Sequence, residues 1–163
     1  MKAKDLMVPL QEYLKPEMTL KEAANILRTA KRDEERMGVK GLPVLDEAGK
    51  MVGFLSIGDI LKSVFPSYMG LKMEIGSFTW DGMVESIAKK VGGRKVSEVM
   101  TRKVISVAED SPLMECVDHM LKNNVKRLPV MGKGEKVVGI LYERDVFYAI
   151  TRAMLNENSG GGK

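Results

Sequence analysis

Gly41-Leu42-Pro43-Val44, followed by Met51-Val52-Gly53-Phe54-Leu55-Ser56-Ile57-Gly58-Asp59-Ile60, decides the fold because the chain writes it twice. The second copy is Arg127-Leu128-Pro129-Val130, then Val137-Val138-Gly139-Ile140-Leu141-Tyr142-Glu143-Arg144-Asp145-Val146, at a constant offset of 86. Upstream, Lys4-Asp5-Leu6-Met7 matches Ser97-Glu98-Val99-Met100 at an offset of 93. The first copy therefore carries seven extra residues between Met7 and Gly41, and the charged stretch Lys31 to Met37 is the place that suits them. Seven residues make about two helical turns and keep a buried face in register, which reads as a longer first helix.

Each copy reads as β-α-β-β-α. A short strand, clearest as Val104-Ile105-Ser106-Val107, precedes a helix. Thr19 with Glu22 fits a capping box, and Ser111 before Pro112 fits an N-cap followed by the first helical residue. Ala23, Ile26, Leu27 and Ala30 have helical spacing, as Cys116, Met120 and Leu121 do approximately. Two strands follow, Leu42 to Leu45 and Met51 to Leu55, joined by the turn Asp46-Glu47-Ala48-Gly49; Gly132-Lys133-Gly134 is the second turn. A final helix begins at the acidic motif and runs through Ile60 to Val64, or Val146 to Ile150. The expected organisation is repeat 1 over 1–66, a linker over 67–94 with a helix near Met83 to Val91, repeat 2 over 95–152, and a flexible tail over 153–163 that is glycine-rich and disordered over Asn156 to Lys163.

The composition is globular, with 44% hydrophobic and 29% charged residues. Half the chain alone would bury a marginal core, so two halves should pack on each other or on a partner. No stretch approaches the roughly 20 apolar residues that span a bilayer. The N-terminus lacks the pattern of a signal peptide, and one cysteine, Cys116, allows no intrachain disulfide. A cytoplasmic location is the default expectation. The net charge of +4 is modest. Lys89, Lys90, Arg94 and Lys95 form the local basic cluster, read first as a solvated linker and second as a phosphate or nucleic-acid contact. Aromatic residues, at 6%, form no array for stacking bases, so nucleic acid is the less favoured partner.

The repeated pattern resembles the CBS domain, named after cystathionine β-synthase, in its tandem form, the Bateman module. The apolar-Leu-Pro-Val strand and the Gly-x-x-Ser/Thr-x-x-Asp signature carry the resemblance over about residues 1–66 and 95–152. It implies an α/β fold: two β-α-β-β-α units packed as a pseudo-twofold pair, with two clefts between them. It also implies an adenosine compound (AMP, ADP, ATP or S-adenosylmethionine) in those clefts, and commonly a homodimer. By that resemblance one cleft uses Asp59 for ribose and Ser56 for phosphate or ribose. Thr101, Val104 and Ser106 would face the base, with Lys126 nearby. The other, weaker cleft uses Asp145, Arg144 and Ile140, with Val8, Lys40 and Arg127. There Tyr142 replaces the usual Ser or Thr, and Met7-Val8-Pro9 lacks the threonine present at Thr101.

A carboxylate at a helix start can accept two ribose hydroxyls, and the helix N-terminus offers N–H donors to phosphate. Asp59 is read first as a ribose ligand and second as a helix cap, Asp145 the other way round, and Ser56 equally as a ligand or as a turn hydroxyl. His119 has no ligand-spaced partner and reads as structural. Cys116 and the thirteen methionines read mainly as core, and Phe78 with Trp80 as cover for an apolar edge. No nucleophile-base set, phosphate loop or metal motif is present, so the expectation is a non-catalytic, energy-sensing regulatory module without a required cofactor or metal. Its output would pass through an effector protein or its own dimer. The alternatives are a ligand-free dimerisation scaffold and a nucleic-acid-associated module.

Overall fold

The computed structural model describes residues 1–31, 37–71 and 80–157. Its elements in chain order are α1 (Ala3–Leu6), β1 (Val8–Pro9), α2 (Leu20–Thr29), β2 (Gly41–Leu45), β3 (Met51–Ser56), α3 (Ile57–Leu71) and α4 (Trp80–Gly92). The second half follows with α5 (Val96–Val99), β4 (Val107–Ala108), α6 (Leu113–Asn123), β5 (Arg127–Met131), β6 (Val137–Tyr142) and α7 (Glu143–Met154). The mixed α/β architecture with a duplicated β-hairpin and helix agrees with the repeat. The linker helix extends over more residues than its core, Met83 to Val91, required.

Two compact units form, and each borrows a segment that precedes the other repeat. One comprises Glu12–Val104 and the other Met1–Gln11 with Ile105–Lys163. The first holds Asp59 and is the Asp59 unit; the second holds Asp145 and is the Asp145 unit. Within the Asp59 unit, β2 and β3 pair antiparallel. Leu14 bridges to Val44 in parallel and Thr101 bridges to Phe54 antiparallel. Within the Asp145 unit the strand order is β1-β6-β5-β4. There Val107 pairs in parallel with Val130 and Val8 antiparallel with Ile140. The pairings correspond position by position, so the same ladder is built twice.

The shared seat of the two borrowed segments, against β3 in one unit and β6 in the other, explains the signature glycine. A Cβ on Gly53 would stand 2.5 Å from the Met100 sulfur and 2.9 Å from the Thr101 carbonyl oxygen. On Gly139 it would stand 2.7 Å from the Met7 sulfur and 2.7 Å from the Val8 carbonyl oxygen. Only a residue without a side chain lets the borrowed segment lie this close.

Each unit has its own core. Leu14, Leu20, Ala23, Leu27, Val44, Leu55 and Val96 are buried together in one. Ala3, Cys116, Met120, Leu128, Val130 and Leu141 are buried in the other. Fully burying a leucine contributes about 1.5–3 kcal/mol, so the handful on each side is the main favourable term. Ala3, on the borrowed N-terminal segment, is fully buried, and its N–H donates to the Ser111 carbonyl at 2.9 Å. Beside it, Lys4 Nζ lies 2.9 Å from Asp110 Oδ1, a bond that holds the Asp110 carboxyl below its usual range.

Four sequence expectations change. The seven extra residues do not lengthen α2, whose last residue is Thr29; the helix is ten residues long against eleven for α6. The insertion is instead spliced into the helix C-cap. In repeat 2 the left-handed Asn124 (φ 49°) ends α6, and the Val125 N–H donates to the Met120 carbonyl. In repeat 1 the corresponding bond runs from the Val39 N–H to the Leu27 carbonyl, next to Gly38 at φ 92°. Lys31 bridges to Met37, so the excursion leaves and returns at one point, and the capping bond survives.

The second change is at Ser111, which is not the N-cap of α6. Pro112 takes that position without a side-chain bond, and the buried Ser111 hydroxyl accepts the Ala108 N–H at 3.2 Å instead. Third, the strand expected over Val104 to Val107 is confined to Val107 and Ala108, where β5 supplies a partner. Fourth, Leu121 is 76% exposed and belongs to no core. Of the capping box expected at α2, the Thr19 half forms, its hydroxyl accepting the Glu22 N–H at 3.2 Å. The apolar-cover reading of Phe78 and Trp80, and most of the tail, lies outside the residues described in this detail.

Candidate nucleotide site

The Asp59 unit assembles its site from a β3-to-α3 turn and one borrowed segment. Ser56 ends β3 and precedes the first turn of α3, so the turn must satisfy its own N–H groups. It does so reciprocally. The Asp59 N–H donates to Ser56 Oγ at 3.1 Å, and the Ser56 N–H donates to Asp59 Oδ2 at 3.0 Å. This is a capping box with aspartate in the third helical position. The Ile57 N–H donates to the Lys40 carbonyl at 2.8 Å.

The other carboxylate oxygen is held from elsewhere. Thr101 Oγ1 donates to Asp59 Oδ1 at 3.0 Å, across 42 residues of sequence. Thr101 is placed there by main-chain bonds, since its N–H and carbonyl both pair with Phe54 at 2.9 Å. Asp59 is half-buried, Thr101 is exposed, and the exposed Gly58 leaves the first helical turn without a side chain. The result is a carboxylate fixed at both oxygens beside a helix N-terminus, an arrangement suited to accepting paired hydroxyls near an anion.

Of the other residues expected here, Val104 belongs to the same unit, while Ser106 and Lys126 belong to the Asp145 unit. Lys126 contributes a main-chain atom there: its carbonyl accepts the Glu143 N–H at 2.9 Å, as Lys40 does for Ile57.

The corresponding turn of the Asp145 unit is built differently. Tyr142 precedes α7 and makes no capping bond with its side chain. Arg144 stands where Gly58 does, with its guanidinium carbon 5.4 Å from the Tyr148 ring centre and Nη2 3.4 Å from the Tyr148 hydroxyl. Val8 occupies the position of Thr101, opposite a buried Ile140. Arg127, Ile140, Tyr142, Arg144 and Asp145 all belong to this unit, and Lys40 to the other.

Sequence reasoning missed the bond between Thr101 and Asp59. It also missed an apolar groove of about 550 Å³ in the Asp59 unit, lined by Leu61, Val64, Phe65, Met83, Val84 and Ile87 among others. The spacing of Leu61 and Phe65 on one helix face was the signal available. Neither this groove nor one of about 450 Å³ near Arg28 and Lys40 includes Ser56, Asp59 or Thr101. Among the described residues no cluster of His, Cys, Asp and Glu could hold a metal, and no helix is long and apolar enough to cross a membrane. In the basic cluster, Lys89 pairs with Glu85 and Arg94 with Glu98.

Comparison with known proteins places this arrangement. An uncharacterised protein of Methanocaldococcus jannaschii is 32% identical over 69% of this chain and 73% of its own length. The chloroplastic CBS domain-containing protein CBSX1 of Arabidopsis thaliana is 31% identical over 83% of this chain, which spans 57% of it. An inosine-5'-monophosphate dehydrogenase of M. jannaschii is 27% identical, and the match takes up only 23% of that enzyme. Among solved structures, CBSX2 in complex with AMP superposes with a TM-score of 0.67 at 25% identity, covering 94% of this chain and 98% of that one. The CBS domain model itself matches residues 3–65 and 96–152, and the chain therefore belongs to the CBS domain family, as a tandem pair.

Proposed function

We propose that this CBS pair is a non-catalytic sensor that binds an adenosine-type nucleotide at Ser56, Asp59 and Thr101. Occupancy would pass to an effector protein or to a second copy of the chain. The observation that carries the reading is the Asp59 carboxylate, held at both oxygens beside the first turn of α3. A solved relative of 25% identity binds AMP, which supports the ligand class. Regulation then requires a coupling free energy between the nucleotide and the partner site.

The test is thermal unfolding with AMP, ADP, ATP and S-adenosylmethionine. A ligand that binds only the folded state stabilises it by about 2.7 kcal/mol at a hundred times its Kd. At least one of the four should raise Tm, and Asp59→Ala should reduce the rise. No rise with any of them at millimolar concentration would reject the reading.

A ligand-free association scaffold is the second reading. The exposed apolar residues Leu61, Phe65, Phe147 and Leu121 favour it. It predicts a dimer by light scattering whose stability and association are indifferent to all four nucleotides.

A further inference from the structure

We propose that Thr101 is a positioning residue of the Asp59 site: it sets the plane of the carboxylate and donates no hydrogen bond to the nucleotide beside it. The inference rests on the nucleotide reading above. It starts from the torsion that an aspartate leaves loose, because rotation about Cβ–Cγ is broad and roughly two-fold. The bond from the Ser56 N–H holds one oxygen at 3.0 Å and leaves that rotation partly free. The bond from Thr101 Oγ1 holds the other oxygen at 3.0 Å and stops it. Each oxygen keeps a further acceptor direction in the same plane, matched to two neighbouring hydroxyls of a ribose.

The proton count decides between positioning and donation to a phosphate. A threonine hydroxyl has one proton, and Thr101 spends it on Asp59. None is left for a phosphate. Thr101 is itself immobilised by its two main-chain bonds to Phe54, so it is a fixed post rather than an adjustable ligand arm. In the Asp145 unit the same ladder position holds Val8, which has no hydroxyl to do this for Asp145.

The experiment measures binding of AMP and of 2′,3′-dideoxy-AMP by calorimetry to the full chain and its Thr101→Val, Thr101→Ser, Asp59→Ala and Asp59→Ala/Thr101→Val variants. Thr101→Val should weaken AMP about tenfold, the size of one hydrogen bond to a charged group, and Thr101→Ser should restore it. The penalty should vanish for the dideoxy ligand and in the Asp59→Ala background. A penalty that persists in either case, or no penalty at all, overturns the proposal. Amide exchange without ligand provides a separate arm. Thr101→Val should speed exchange at Ser56 and Asp59 severalfold and leave Glu143 unchanged. Unchanged exchange at Ser56 and Asp59 overturns the proposal whether or not AMP binds, whereas failure of the natural chain to bind any nucleotide rejects only the functional reading.

Discussion

The turns that open α3 and α7 begin from the same ladder and reach different ends. Both follow a β-hairpin whose glycine admits a borrowed methionine, and both tie their first helical N–H to a lysine carbonyl. At the first, Ser56, Asp59 and Thr101 close a polar network. At the second, Tyr142, Arg144 and Val8 replace Ser56, Gly58 and Thr101, and Arg144 turns to Tyr148. The backbone is shared; the Thr101 hydroxyl holds the Asp59 carboxylate and Ser56 Oγ accepts the Asp59 N–H, and Val8 and Tyr142 stand in their places at the second turn. A duplicated fold thus supplies two corresponding turns, and substitution at the same ladder positions makes them unlike.

The strongest way to break the comparison is at the shared seat. Gly53→Ala and Gly139→Ala each push a Cβ against a carbonyl oxygen, which cannot swing aside as a side chain can. Each should cost about 3 kcal/mol in urea denaturation, as overpacking does. A cost in one unit alone would show that the two seats are not equivalent.

The aspartates should separate next. Asp59→Ala removes the acceptor of two bonds and should destabilise by about 1–2 kcal/mol, within the range of lost helix caps. Asp145→Ala should stay within about 0.5 kcal/mol in the same assay. The difference can then be sharpened by construction. Tyr142→Ser together with Val8→Thr reproduces the polar set in the Asp145 unit, and AMP binding by calorimetry should rise from one site per chain to two.

The smallest effect distinguishes how the borrowed segments are fastened. Only the Asp145 unit has the Lys4 to Asp110 bond, since Ser97 replaces Lys4 in the other. The bond from Lys4 lowers the folded Asp110 pKa. Its contribution is therefore present above the unfolded carboxylate value and fades as pH falls through the lower folded value. Both groups are exposed, so the effect is slight. Acidification below about pH 4 should speed amide exchange at Ala3 in the natural chain more than in Asp110→Asn.

Much of this was legible because it is written in side chains. The repeated Leu-Pro-Val and Gly-x-x-x-x-x-Asp segments located both hairpins and both helices. The differing offsets located the insertion at Lys31 to Met37. Its form was not legible, because the bond it preserves joins main-chain atoms of Leu27 and Val39 and leaves no residue preference of its own apart from Gly38. Ser111 misled for a related reason: a serine before a proline can cap forward or bond backward, and the nearby Ala108 N–H was the donor that needed an acceptor. For the site, Ser56 and Asp59 were legible as a helix start. Their reciprocal bonding follows from that spacing alone.

By itself the sequence determined the duplication, the polar residues at one turn and their replacement at the other, because local spacing dictates caps, turns and core faces. Tertiary structure decided which segment lies on which hairpin, and so placed Thr101 on Asp59 and Val8 opposite Ile140. Strand pairing runs through N–H and carbonyl groups that nearly every residue carries. A segment therefore names its partner only where the fit requires a glycine, as at Gly53 and Gly139.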